Sequence, residues 1–581
     1  MNKQDYDIMN AIVKSPYLNQ RELANRSGYS VGKVNSSLKV LLNHQYIDED
    51  MHLTANAWKE LREKKPKNAV ILAAGYGMRM IPINAEVPKG LLEVQGEPLI
   101  ERVIRQLHEA DVKEIHIVVG FMKEQYEYLI DKYDVNLVFN RDYSTKNNLY
   151  SLQCVADKIG NTYIVPCDIW CKDNPFSQHE WYSWYMVTDQ ESEESTVRVS
   201  RKKELVNIRK DETGNAMIGI SYLIAEDAFV LRKTVKEYTL RKEYNHAFWE
   251  QALFNEKGLA VGAKMVESTN VYEINTYEQL RELDDGSDQL KSDVLQLIAD
   301  ILKCDVDEIG NIIALKKGMT NRSFRFEVRG QQYIMRIPGE GTDKMINRKN
   351  EWLVYKCLKG RKITDPVVYI SPDNGYKITR YIPNVRVCDS NNPEEVAKCM
   401  CCLKKFHNLN IQVDHSFDLY ERIEYYEELR GNVPSMYRDY ASTKEKMYEL
   451  KKFIDEQPKQ ISLTHIDAVC DNFLITDEKI YLIDWEYAGM QDVHVDIAMF
   501  AVYSMYGREK VDELIVHYFR GEPDYNVKTK IYCYIAICGF VWSNWCEYKR
   551  ICGVEFGEYS LRQYRFAKEY YAIAKERMGH E

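Results

Sequence analysis

Residues 70–80 read VILAAGYGMRM, an apolar run of strand length that breaks at Gly75 and Gly77 and continues to Arg79. A glycine turn at a strand end lets backbone N–H groups approach phosphate closely, and a neighbouring arginine adds a fixed cationic fork. Many strands end in a glycine pair that binds nothing, so the loop alone decides little. Pro88 and Lys89 follow nine residues after Arg79 in AEVPKGLLEVQGEPLIERVI, giving L-A-A-G-x-G-x-R and then P-K. Outward from this loop, short apolar runs alternate with helical stretches: AVILAAG, PLIERVIRQLHEAD, EIHIVVG, KEQYEYLIDKY, VNLVFN, NLYSLQCVADKI and TYIVPCDIW. That alternation predicts an α/β doubly wound, Rossmann-like, mostly parallel sheet over 68–286, closed by the acidic break LRELDDGSDQ at 280–289. Ligands of such sheets sit at the carboxyl ends of strands, where this loop lies.

Composition frames the rest. The chain has 581 residues, 45% of them hydrophobic and 29% charged, with net charge −10 and 42 tyrosines. That length predicts about three domains. The acidic balance argues against nucleic acid or anionic membrane as the partner of the main surface, although one small domain can be locally basic. The start, MNKQDYDIMNAIVKS, has no apolar signal core, so a cytoplasmic protein is expected. The longest apolar stretch, IYCYIAICGFVW (531–542), falls short of the roughly 18 residues that span a bilayer and reads as a buried helix, with no membrane insertion. Fourteen scattered cysteines lack paired CxxC groups and read as reduced core thiols.

Residues 1–64 carry a helix around Arg21–Asn25, a turn through Gly28, a second helix starting at Ser30, and a short wing, EDMHLT. This resembles the winged helix-turn-helix domains of bacterial transcription regulators. The resemblance implies DNA reading through Ser30, Lys33, Asn35 and Lys39; a fold reused for protein contacts is the alternative. The charged linker REKKPKN (62–68) sets the boundary.

Residues 290–581 open with strand-like pieces (SFRFEVRGQQYIMRIPG, YKITRYIPN) and continue largely helical, which predicts an α+β bilobal, kinase-like domain. SLTHIDAVCDNFLI (462–475) sets His465, Asp467 and Asn472 between apolar residues, and IYLIDWEYAG puts Asp484 at a strand end twelve residues after Asn472. Phosphoryl transfer to an alcohol needs an aspartate at the hydroxyl and oxygen ligands for Mg²⁺, which H-x-D-x-x-x-x-N … D supplies. The segment resembles choline kinases and, more distantly, aminoglycoside phosphotransferases. By that resemblance Asp467 is the catalytic base and Asn472 and Asp484 hold Mg²⁺. Thr320 and Asn321 lie near the tip of a hairpin over ATP, Arg336 occupies the position of the kinase lysine, and Glu351 is its ion-pair partner. His465 and Asp496 read as loop braces. Choline offers no donor at nitrogen, so its recognition depends on aromatic faces. The resemblance assigns Tyr487, Trp542 and Trp545, with Trp485 beside Tyr487, to a cationic pocket.

The middle segment resembles the nucleotidyltransferases that activate sugar phosphates or phosphocholine. The resemblance implies that Leu72, Ala73, Ala74, Gly75 and Gly77 wrap CTP, that Arg79 and Lys89 neutralise charge, and that Asp168 holds Mg²⁺. Phosphocholine-specific members carry Glu-Ile-Asp where NVYEINTYEQL has Asn275, whose carbonyl keeps an oxygen ligand and loses a charge. FNRDYSTKNNLYSLQ (139–153) is similar to the NN-SL region of CTP:phosphocholine cytidylyltransferases, and Trp170, Trp181, Tyr182, Trp184, Tyr185 and Tyr272 are candidates to surround a trimethylammonium group. The joined resemblances imply a bifunctional enzyme that phosphorylates choline with ATP and couples phosphocholine to CTP, giving CDP-choline for decoration of surface glycans or lipids. Ethanolamine or another amino alcohol as substrate, and a choline-responsive regulator with degenerate enzyme domains, stay open. A sugar-phosphate nucleotidyltransferase joined to an antibiotic kinase would leave the paired tryptophans without a role.

Overall fold

The computed structural model describes residues 1–581 except 15–18, 84–86, 210, 256–258, 288–289, 316–320, 340–341, 343–344, 432, 553–555 and 580–581. The chain forms two compact units, Met1–Leu297 and Ile298–Glu581.

The first unit opens with three helices, Lys3–Lys14, Gln20–Ser27 and Val31–Asn43. Asn19 caps the second, its side chain accepting from the N–H groups of Arg21 and Glu22, and Gly28 ends it at φ +66°, where a side chain would be strained. Ser30 caps the third helix. The predicted wing narrows to one antiparallel bridge, Ile47 to Leu53, followed by the helix Ala55–Glu63. Ile8, Leu23, Val34, Leu38 and Leu41 form the core of this domain, and Trp181 from the following domain completes it.

The sheet that follows comprises β1 (Asn68–Ala73), β2 (Glu114–Val119), β3 (Asn136–Phe139), β4 (Thr162–Pro166), β5 (Trp184–Ser192), β6 (Gly214–Leu223) and β7 (Gly262–Val266), in spatial order β7-β5-β6-β4-β1-β2-β3. β1 pairs in parallel with β2 and β4, as β3 does with β2, while β6 runs antiparallel between β4 and β5. All six β1 residues are buried, as expected of a central strand covered on both faces. The strand Val271–Glu273 pairs with Ile169–Cys171 just beyond β4, which fixes Asn275 beside Asp168.

The second unit has a five-stranded antiparallel sheet of β8 (Ile309–Ala314), β9 (Asn321–Val328), β10 (Gln331–Pro338), β11 (Val367–Ile370) and β12 (Lys377–Arg380), ordered β8-β9-β10-β12-β11. The helix Arg348–Leu358 follows β10. A helical lobe built around Tyr525–Ile551 and Glu558–Met578 completes the unit. The 531–542 stretch is the buried middle of the first of these helices. Among the described residues no helix is long and apolar enough to cross a membrane, and the cysteines are free thiols.

Candidate active sites

At the carboxyl end of β1 a cavity of about 910 Å³ is lined by Leu72, Ala73, Ala74, Gly75, Gly77, Arg79, Lys89, Asp168 and Asn275, so the sequence-predicted residues of this domain meet in one place. Gly77 has φ +59°, and a Cβ there would press on the Lys89 side chain. At Gly75 φ is not positive and a Cβ would meet nothing within 4 Å, so local backbone sterics do not require glycine; the open room beside it is the cavity. The Lys89 ammonium bridges Asp168 Oδ2 and Asn275 Oδ1, the second at 2.7 Å. The other Asp168 oxygen is buried without a partner.

Sequence reasoning passed over two carboxylates here. Glu273, two residues before Asn275, lines the cavity; burial and then the Asp168 charge push its pKa up. Glu250 receives a 3.2 Å bond from the Tyr185 hydroxyl, leaves one oxygen buried and unpartnered, and is pushed up to about 7 by burial. No motif marks Glu250, because it reaches the cavity only through the packing of the short helix Glu250–Leu253.

Of the six aromatics named as candidates, only Tyr185 lines the cavity. Trp181 is 2% exposed within the winged-helix core, and the Tyr182 hydroxyl bonds Asp7. Lys264 stands 4.0 Å over the Trp184 ring, and Trp170 pairs with Tyr272 and Arg102. Tyr76, packed on Phe121 and Tyr143, is a lining aromatic that the sequence did not single out.

In the second unit a cavity of about 590 Å³ is lined by Asn321, Arg336, Asp467, Asn472, Asp484, Glu486, Tyr487, Trp542 and Trp545, among others. Asn472 Nδ2 donates to Asp467 Oδ2 at 3.0 Å and to its carbonyl at 2.8 Å, which orients the aspartate. Ile466 and Asp484 have φ of +68° and +67°, a strained region for side-chain-bearing residues and a common signature of functional loops. Asp496 braces that loop. Its carboxylate accepts from the N–H groups of His465 and Ile466 at 3.0 and 2.7 Å, and also bonds His407. His465 is buried, which lowers its pKa, and bonds the Ile483 carbonyl at 2.9 Å, so it supports the loop.

Arg336 forks onto both oxygens of Glu351 at 2.6 and 2.9 Å and reaches Asp484 at 3.2 Å. Burial opposes ionisation of Glu351, yet Arg336 holds its pKa below the ordinary carboxylate value. Arg348, which sequence reasoning missed, bonds Glu351 and Glu486 at 3.2 and 3.5 Å. Burial and then repulsion from Asp484 and Glu486 raise the Asp467 pKa well above the ordinary value.

The Tyr487 and Trp542 rings lie 5.7 Å apart, edge to face at 66°, and Trp542 lies 6.1 Å from Trp545. Tyr503 and Tyr559, unmarked in the sequence, also line the cavity. Trp485 is a correction. It is fully buried in the core, donates to the Leu482 carbonyl at 3.0 Å and packs on Phe406 and His465, in a loop past the strand Ile480–Leu482 where Asp484 takes φ +67°. Thr320 lies outside the described residues.

Among the described residues no group of three or more His, Cys, Asp or Glu forms a closed metal cage. Mg²⁺ keeps waters and substrate phosphates and takes one or two protein carboxylates, so Asp168 with Asn275, and Asp484 with Asn472, suit it. The unpartnered Asp168 oxygen and the mutual repulsion of Asp467, Asp484 and Glu486 both call for a cation.

Comparison with known proteins gave three family-model matches: winged helix-turn-helix DNA-binding at 1–48, MobA-like NTP transferase domain at 69–208, and choline/ethanolamine kinase at 312–520. A choline-phosphate cytidylyltransferase of Streptococcus pneumoniae is 33% identical over 221 residues, 37% of this chain and 96% of that protein. A 2-aminoethylphosphonate cytidylyltransferase of Lancefieldella rimae is 32% identical, over 38% of this chain and 92% of that protein. The solved choline kinase LicA from Streptococcus pneumoniae is 26% identical, with TM-score 0.43, covering 48% of this chain and all of that one. The chain therefore joins a winged helix, a nucleotidyltransferase and a kinase, and is an enzyme of both transferase kinds.

Proposed function

Since the chain belongs, through its middle domain, to the nucleotidyltransferase family that includes the choline-phosphate cytidylyltransferase of Streptococcus pneumoniae, we propose that it makes phosphocholine from choline and ATP and then CDP-choline from phosphocholine and CTP. The observation that carries this reading is the wall of Tyr487, Trp542 and Trp545 in the same cavity as Asp467. A quaternary ammonium cannot donate a hydrogen bond and is held by ring faces, and such rings beside a phosphoryl-transfer base select an alcohol that carries one.

In the kinase site Asp467 accepts the proton of the choline hydroxyl as its oxygen takes the γ-phosphoryl group of ATP. Asn472 keeps that carboxylate aimed, and Glu351 holds Arg336 at the phosphates. In the transferase site a phosphocholine oxygen attacks the α-phosphorus of CTP and pyrophosphate leaves. The attacker is already anionic, so no side-chain base is needed; Arg79 and Lys89 offset the charge, and the 72–77 loop positions the triphosphate. Asn472 and Asp484 in one site, and Asp168 and Asn275 in the other, would hold Mg²⁺, which when bound would neutralise phosphate charge. The CDP-choline would serve transfer of phosphocholine to surface glycans or lipids.

Incubating the full chain with choline, ATP, CTP and Mg²⁺ and following products by mass spectrometry tests this. Both products are expected, with Asp467→Ala blocking phosphocholine and Asp168→Ala blocking only CDP-choline. Phosphocholine without CDP-choline would overturn the coupled reading and favour a choline-responsive regulator.

Glu250 and Glu486 favour one second reading, a primary ammonium substrate such as ethanolamine, because each places a buried carboxylate in its cavity. A higher kcat/KM for ethanolamine than for choline would establish it.

A further inference from the structure

The winged-helix domain and the nucleotidyltransferase are packed together. Trp181 sits in the winged-helix core and Tyr182 bonds Asp7. A two-stranded ribbon of the transferase, Val197–Val199 and Leu205–Asn207, ends in the turn Ser200–Glu204. Lys203 of that turn donates to the Ser27 carbonyl at 3.1 Å and stands 4.0 Å over the Tyr29 ring, at the junction between the second and third helices. The turn is thus held at the amino-terminal end of the helix that carries Lys33, Asn35 and Lys39, all exposed. Arg201 and Lys202, next to Lys203, are exposed as well.

Cations outnumber carboxylates at this junction, where Lys3, Lys33, Arg201, Lys202 and Lys203 meet Asp5, Asp7 and the turn's own Glu204. The Asp7 carboxylate is engaged by Lys3, Tyr29 and Tyr182. Lys33 stands 5.6 Å over Tyr29 and Lys3 stands 4.7 Å over Tyr182, so three lysines share two rings. Burial, and the charges of Lys3 and Lys33 against that of Asp7, leave the Lys203 pKa lowered. At the other end of the 13-residue helix, about 20 Å away by its rise, the wing tip exposes Asp48, Glu49 and Asp50. A phosphate backbone laid along the helix is attracted at its amino-terminal end and repelled at the wing. In a chain of net charge −10, a gathering of cations beside a helix-turn-helix is not background.

We propose that the transferase turn Arg201–Lys203 and the recognition helix form one composite face for duplex DNA, in which the turn makes the phosphate contacts that the acidic wing cannot make. The proposal rests on reading the winged helix as a DNA binder and adds that the enzyme domain supplies part of the grip.

The test is anisotropy of a labelled 30-base-pair duplex of mixed sequence with the full chain, across 50–200 mM salt. Arg201→Ala/Lys202→Ala is expected to weaken binding at every salt concentration and to reduce the slope of log K against log salt by about 2, one unit per phosphate contact. CTP turnover and the unfolding temperature are expected to stay unchanged. An unchanged slope in this variant, with binding lost in Lys33→Ala/Lys39→Ala, overturns the composite face and leaves the DNA reading standing. No duplex binding by the unmodified chain overturns both. Equal affinity for a single strand of the same sequence overturns the commitment to duplex.

Discussion

The two catalytic cavities balance charge in opposite ways. In the transferase, Lys89 spans Asp168 and Asn275, so the protein supplies its own cation beside the Asp168 and Glu273 carboxylates. In the kinase, Asp467, Asp484 and Glu486 crowd one another, while Arg336 and Arg348 sit closest to Glu351 and reach Asp484 and Glu486 at 3.2 and 3.5 Å. The first site meets its substrate with a cation already seated on its central aspartate; the second holds repulsion that the substrate complex relieves. Binding a nucleotide with its counter-ion therefore completes the kinase electrostatically, whereas in the transferase it competes with Lys89 for the same oxygens.

Asp467→Asn is the largest test of this contrast. Kinase turnover is expected to fall by roughly 10² to 10⁴, the range for loss of a general base, with CTP turnover intact in separate assays. Asp467 has a raised pKa in the fold, so its relative stabilisation is present below the unfolded value and is lost as pH rises through the folded one. Asp467→Asn should therefore unfold at a temperature equal to or higher than the parent at pH 8, and a lower temperature would refute stored repulsion. The same shift places the acid limb of kinase kcat/KM above the ordinary aspartate range, with activity falling as pH falls, and a pH–rate profile checks it.

Lys89→Ala comes next. Loss of the built-in cation should cut CTP turnover by about 10²-fold, a typical loss for one electrostatic contact to developing charge, and should leave the kinase unaffected. Trp542→Leu should raise the choline KM by roughly 2- to 30-fold, the equivalent of about 0.5–2 kcal/mol of cation–π attraction, with little change in the ATP KM. Asn275→Asp should have the smallest effect: a second carboxylate beside Asp168 lowers the Mg²⁺ needed for half-maximal CTP turnover by a few-fold. An increase in that requirement would mean that Lys89 alone sets the charge balance.

Much of both sites was legible because catalytic loops are short and local. The glycine turn, Arg79 and Lys89 lie within one strand-loop segment, and Asp467 and Asn472 lie in one loop with Asp484 just past the hairpin that follows it. Trp485 misled because adjacency to Asp484 in a loop says nothing about which way a ring turns. The aromatics at 181–184 misled for a related reason. Composition signalled rings, while packing spent Trp181 and Tyr182 on the winged helix and Trp184 on Lys264.

The sequence by itself determined the domain order, the sheet class of the transferase and the residues proposed to handle phosphate. These depend on hydrophobic periodicity and on side chains a few positions apart, which the backbone brings together whatever surrounds them. Only the tertiary structure decided that Glu250, Glu273 and Tyr559 reach the cavities, that Arg348 bonds Glu351 and Glu486, that Trp485 does not line its cavity, and that Lys203 meets the winged helix. Such contacts join residues tens to hundreds of positions apart, and their place is set by the packing of whole elements, which no local pattern encodes.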